Sequence, residues 1–289
     1  MSWTAVARKD FADAVRSRML WGVVGLFALL MGVSALVPEL IGVGGPVLGY
    51  SFAADLAATL VPITALVAAY LAIAGERESG SIKILLGAPH SRADVTVGKL
   101  VGRSAVVVVG ILAGFLVAGA VALVVYGELA ATELASVALL TAALGLAFVG
   151  LAVGISAATA TRSRAMTLAV GAFFVFALLW DLAMLAITYL RTGNLPTLGA
   201  SVPAWQLLVE RLNPSRAFGQ LVDAALAGAE LPGAGGGGAA GGGGPAGVTG
   251  QVSGSVPFYL DDWFMVVVLV AWTAIPVILG HLRFRAADL

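Results

Sequence analysis

The chain has 289 residues, 60% of them hydrophobic and only 11% charged, with a mean hydropathy of +1.00. That composition excludes a soluble globular domain, and the absence of cysteine excludes disulfides and thiolate metal sites. The formal net charge is zero, but the charges are placed unevenly along the chain.

Residues 1–18 set Trp3, Val6, Ala7, Phe11, Ala14 and Val15 on one helical face and Arg8, Lys9 and Arg16 opposite. This is the pattern of an amphipathic helix at a membrane surface, with Asp10 interrupting the apolar arc. Six long, almost uncharged apolar runs follow, at about 19–37, 53–74, 100–126, 134–158, 168–190 and 263–282. Each is long enough to cross the ~30 Å hydrocarbon layer as a helix at 1.5 Å per residue. The expected fold is therefore an all-α polytopic membrane protein with six transmembrane helices forming one transmembrane domain over residues 1–289.

Of the 16 Lys and Arg, 13 fall before span one, around the loop after span two, between spans four and five, or after span six. Only Arg191, Arg211 and Arg216 fall on the other side, all in one long loop. The positive-inside rule then places both termini in the cytoplasm, at the cell membrane.

Between spans two and three lies GERESGSIKILLGAPHSRADVTVGK, residues 75–99. Glu76, Arg77 and Glu78 close span two, Ser79-Gly80-Ser81 permits a turn, and IKILL forms a short apolar segment stopped by Gly87 and Pro89. Ser91, three residues before Asp94, has capping-box spacing and starts the helix that enters span three. A short helix with Ile82, Leu85 and Leu86 on one side must bury that face in lipid headgroups or in a partner's groove.

Residues 191–262 form the only sizeable loop on the other side. Trp205, Leu208, Val209 and Leu212 are spaced as one helical face, and Phe218, Leu221, Val222, Ala225 and Leu226 as another, the latter beginning at Asn213-Pro214, a cap followed by proline at the first helical position. Two amphipathic extracytoplasmic helices are predicted. The glycine-rich tract 232–250 follows and reads as a tether.

An apolar helix ending in GERESGSIKILLGAPHSRADVTVGKLVGR, with the basic amphipathic start RKDFADAVRSRMLW and six spans, resembles the ABC-2 family of ABC transporter permeases. Within it, the chain is most similar to the branch containing the permease of the nitrous-oxide-reductase maturation system. The resemblance implies a coupling helix that docks on an ATP-binding subunit, with Glu76, Arg77, Glu78, Gly80, Ser81, Ile82, Leu85 and Leu86 in that role. It also implies ATP and Mg bound by that partner and not by this chain, a second permease copy (an identical chain or a close paralogue), and export as the direction. The glycine tract departs from the family pattern.

The chain has no GxxxxGK[ST] phosphate loop, so any ATP hydrolysis must come from elsewhere. With His90 and His281 far apart in sequence, neither a metal centre nor a hydrolytic triad is expected, and no basic patch interleaved with aromatics points to nucleic acid. Membrane lipids are the remaining partner. Ionisable side chains inside spans are functional candidates because their burial in lipid is costly. Asp181 and Asp55 qualify; Asp181 either lines a substrate path or is satisfied within the bundle. The alternative to the ATP-driven reading is an ion-coupled secondary carrier or channel, which would usually show more intramembrane charge or a repeat between halves.

Overall fold

A computed structural model describes residues 3–83, 91–194, 201–229, 252 and 256–287, with the side chain of Met19 left aside. The expected coupling residues Leu85 and Leu86, His90 and the glycine tract 232–250 lie outside the described residues.

The helices in chain order are α1 (Trp3–Arg16), α2 (Arg18–Leu40), α3 (Pro46–Ala69), α4 (Ala74–Glu78), α5 (Arg92–Tyr126), α6 (Ala131–Ala158), α7 (Arg162–Phe174), a π turn (Val175–Leu179), α8 (Trp180–Thr192), α9 (Ala204–Arg211), α10 (Pro214–Leu226) and α11 (Asp262–Arg285). Among the described residues, six stretches are long and apolar enough to span a membrane: α2, α3 with α4, α5, α6, α7 continued through the π turn into α8, and α11. The apolar runs are extended by polar turns that the membrane does not require. Thus α5 has 35 residues and is about 50 Å long, well beyond the hydrocarbon thickness.

Its start is set by the box anticipated at Ser91 and Asp94. Ser91 Oγ accepts from Asp94 N at 3.1 Å, while Ser91 N donates to Asp94 Oδ2 at 3.0 Å. Its end is set by Gly127 in the left-handed region, φ 73°.

Two glycine seams bring the helices together, because the driving force between helices in lipid is close packing and not water exclusion. Along α5, Gly98 and Gly102 receive Val6 and Asp10 of α1, and Gly110 and Gly114 receive Val23 and Phe27 of α2. The first 14-residue helix is thus docked on span three by Val6, Ala7, Asp10 and Ala14, while Trp3 and Val15 stay exposed. Along α6, Gly150 and Gly154 meet the backbone of α11 at Thr273 and Pro276, and Gly280 meets Gly154, with no room for a Cβ on any of the three.

At the end of the bundle away from the termini, α9 and α10 form a cap. Trp180 Nε1 donates to Val209 O at 3.1 Å and Trp272 Nε1 to Leu212 O at 2.8 Å, so two spans satisfy carbonyls at the end of α9. As the sequence suggests, Asn213 caps α10 through Ser215 N (3.0 Å) with Pro214 behind it, and Phe218, Leu221, Val222 and Leu226 are buried.

For α9 the expected face is reversed. Gln206, Leu207 and Arg211 are buried, whereas Trp205 is 48% and Leu212 37% exposed. Next to a bilayer an apolar side chain need not turn inward, and the polar face instead finds partners in the protein: Gln206 Nε2 donates to Thr188 Oγ1 at 2.6 Å.

Candidate functional site

At the end carrying both termini, the segment that closes span two is tied into four other helices. The chain breaks between α3 and α4, and a break exposes amides that lipid cannot satisfy. Ser156 Oγ of α6 accepts from both Ile73 N (2.9 Å) and Ala74 N (3.0 Å).

Beyond that break, three consecutive side chains take three directions. Glu76 pairs with Lys99 of α5, whose ammonium also sits 2.8 Å from Asp10 Oδ1 of α1. Arg103, one turn further along α5, faces both oxygens of Asp10 at 2.9 and 3.1 Å and donates to Ala68 O of α3 at 3.1 Å. Asp10 and Lys99 are buried, and among the described residues their charges are compensated by one another and by Arg103 and Glu76.

Arg77 Nη1 donates to Thr159 O at 2.8 Å and Ala157 O at 3.4 Å, at the carbonyl end of α6, and its guanidinium lies 5.9 Å from the Phe284 ring centroid on α11. Glu78 Oε2 accepts from Arg162 N at the start of α7. A cation therefore meets a helix C-terminus and an anion a helix N-terminus, the signs the helix dipole favours. Arg92, on the first turn of α5, donates to the carbonyls of Phe284, Arg285 and Ala287 and so caps α11.

The structure thus divides the sequence-derived docking residues. Glu76 and Arg77 face inward. Ile82 is 1% exposed and packs in the main core, which corrects its expected place on an outward apolar face. Glu78 and Ser81 are exposed, and Gly80 makes the turn with φ 76°, a conformation that suits glycine. Residues 81–83 begin a helix.

Asp55 and Asp181, 126 positions apart, do come together. Both line a cavity of about 390 Å³ at the distal end, between α3, the π turn, α8, α9 and α10, along with Arg211, Arg216, Gln220 and Asp223. Asp181 Oδ1 pairs with Arg216 Nη2 at 2.8 Å, each side chain about half exposed. Arg211 and Gln220 are buried, and among the described residues Arg211 Nη1 and Gln220 Oε1 have no hydrogen-bond partner. Burial pushes the Arg211 pKa down, against Glu210, Asp262 and Asp223, which push it up; the guanidinium remains charged. The π turn borders the same cavity, and its Phe176 carbonyl accepts from Asn213 Nδ2 at 2.8 Å. The result is a mixed-charge vestibule able to hold a polar or charged solute.

Sequence reasoning missed Asp10, Lys99, Arg103 and Ser156. The available signals were the acid inside an apolar arc and two basic residues one turn apart leading into a span.

The family model described as ABC-2 family transporter protein matches residues 4–289. A protein of Pseudomonas aeruginosa described as "Probable ABC transporter permease protein NosY" is 34% identical over 248 residues, covering 80% of this chain and 86% of the relative. A second protein with the same description, from Stutzerimonas stutzeri, is 35% identical over 218 residues, covering 73% of this chain and 77% of the relative.

Proposed function

The chain belongs to the ABC-2 family of transporter proteins, and from that premise we propose that it is the permease subunit whose helices are moved by a separate ATP-hydrolysing subunit docked on the segment after Glu78. The observation carrying this reading is the three-way hold of Glu76, Arg77 and Glu78 on α5, α6 and α7. A push on residues 80–86, with Leu85 and Leu86 as apolar contacts, would reach these helix ends through the short turn at Gly80 and the buried Ile82. In this division of labour Gly80, Ser81, Leu85 and Leu86 meet the partner, and Glu76, Arg77 and Ile82 transmit.

In this reading the termini are cytoplasmic, on the side with 13 of 16 basic residues, and ATP and Mg are held by the partner. The working unit contains two permease copies, and the direction is export. Asp55 and Asp181 stand at the outer mouth of the substrate path, where the vestibule admits a polar or charged solute.

Affinity purification of the tagged full chain from its membrane in mild detergent tests the reading. An ATP-hydrolysing subunit is expected to accompany the wild-type chain, to be lost with Leu85→Asp, and to hydrolyse ATP without moving substrate when Glu76→Lys and Glu78→Lys are combined. A correctly inserted chain that retains no ATPase under any condition would overturn the proposal.

A further inference from the structure

A second cleft, of about 380 Å³, opens at the terminal end between the end of α6, the start of α7 and the last turn of α11. Three arginines line it, Arg77, Arg164 and Arg283, together with Thr159 and small residues at 158, 160 and 286–287; among the described residues no acidic side chain does. Arg77 is fixed in place by the Ala157 and Thr159 carbonyls and by the Phe284 ring. Arg164 and Arg283 are exposed and enter none of the ion pairs among the described residues. The nearby Glu78 is engaged by the Arg162 amide.

Three guanidinium groups converging on one cleft repel one another, and that repulsion is relieved by an anion. The planar, always-charged guanidinium suits a phosphate in particular, because it can offer two parallel N–H donors to two oxygens. Depth narrows the choice. Arg164 lies just before the apolar run of span five and Arg283 near the close of span six, so the cleft sits at the level of lipid headgroups.

We propose that this cleft binds the phosphodiester headgroup of an anionic phospholipid. The bound phosphate joins the end of span four, the start of span five and the end of span six through Arg77, the middle member of the Glu76-Arg77-Glu78 hold. Lipid occupancy thereby stiffens the segment to which the helix ends are tied. The inference stands on the cleft alone and needs no ATPase.

The test uses the full chain purified without any partner, its thermal unfolding midpoint followed in neutral detergent during titration with phosphatidylglycerol, phosphatidylcholine or inorganic phosphate. Phosphatidylglycerol is expected to raise the midpoint saturably and phosphatidylcholine to leave it unchanged. Arg164→Gln combined with Arg283→Gln is expected to weaken the apparent phosphatidylglycerol affinity about 10- to 30-fold, and Arg164→Lys with Arg283→Lys to recover part of it. Arg77 is left intact, since its loss would also free two buried carbonyls. Equal phosphatidylglycerol responses in the wild-type and double-Gln chains would overturn the site. A saturable response of the same size to millimolar inorganic phosphate, competing with the lipid, would overturn the lipid as its source and make the cleft a free-phosphate site.

Discussion

Spans four and five are neighbours in sequence and opposites in construction. The most apolar stretch of span four is 67% buried and that of span five only 6%. Span four is held by backbone contact with α11 at Gly150 and Gly154 and packs against α3 and α5. Span five is held at its start by Glu78, and from its middle to its far end by the Phe176 carbonyl, Trp180, Asp181 and Thr188. One helix is a fixed post and the other is fastened at its start and from its middle onward, with Met166, Val170, Phe174, Leu178 and Leu185 exposed. Those side chains must be covered by lipid or by another chain, and the fastenings decide how far the helix can move.

The strongest way to break this contrast is Gly154→Val. Its Cβ would overlap the Pro276 carbonyl, and overpacking against backbone is expected to cost about 3 kcal/mol or more, read as loss of the folded chain in detergent unfolding. Next, Asp10→Ala leaves Lys99 and Arg103 without their shared carboxylate; the expected loss is about 3 kcal/mol, and Asp10→Ala with Lys99→Met should recover part of it. Smaller is Asn213→Ala, which removes both the α10 cap and the bond to Phe176 O. A cost of about 1–2 kcal/mol is expected, with faster proteolysis near the π turn.

Asp181→Asn attacks a half-exposed pair. A double-mutant cycle with Arg216→Gln should return a coupling below about 1 kcal/mol, and a larger value would mark the pair as structural. The smallest effect belongs to Gly171→Ala on span five. An added Cβ there meets nothing within 4 Å, so stability should stay within about 0.5 kcal/mol.

The readable parts of the sequence were local. Apolar run length marked the six spans, and Ser91-x-x-Asp94 and Asn213-Pro214 marked two helix starts. Rotation and long-range pairing were not local. Nothing near Asp10 says that its partners lie 89 and 93 positions away. A five-residue helix such as α4 is too short for periodicity to fix which side faces in, so the inward turn of Arg77 could not be read, and the Gly80 turn beyond it sets the burial of Ile82 independently of that helix. For α9 the usual inference from apolar face to interior failed because lipid is a second apolar solvent. The meeting of Asp55 with Asp181 depends on how α3 crosses the fifth span, which neither segment encodes alone.

The serine beneath the break in span two bears on how portable the segment is. Ser156 belongs to a different helix from the amides it satisfies, so residues 70–78 are not a self-contained module. A chimera that imports this stretch from a relative, without a hydroxyl at the facing position, strands two donors at about 1–3 kcal/mol each. A graft that carries both halves of the contact keeps the bend. Exchange of this segment among such chains is therefore constrained by a residue that lies outside the segment exchanged.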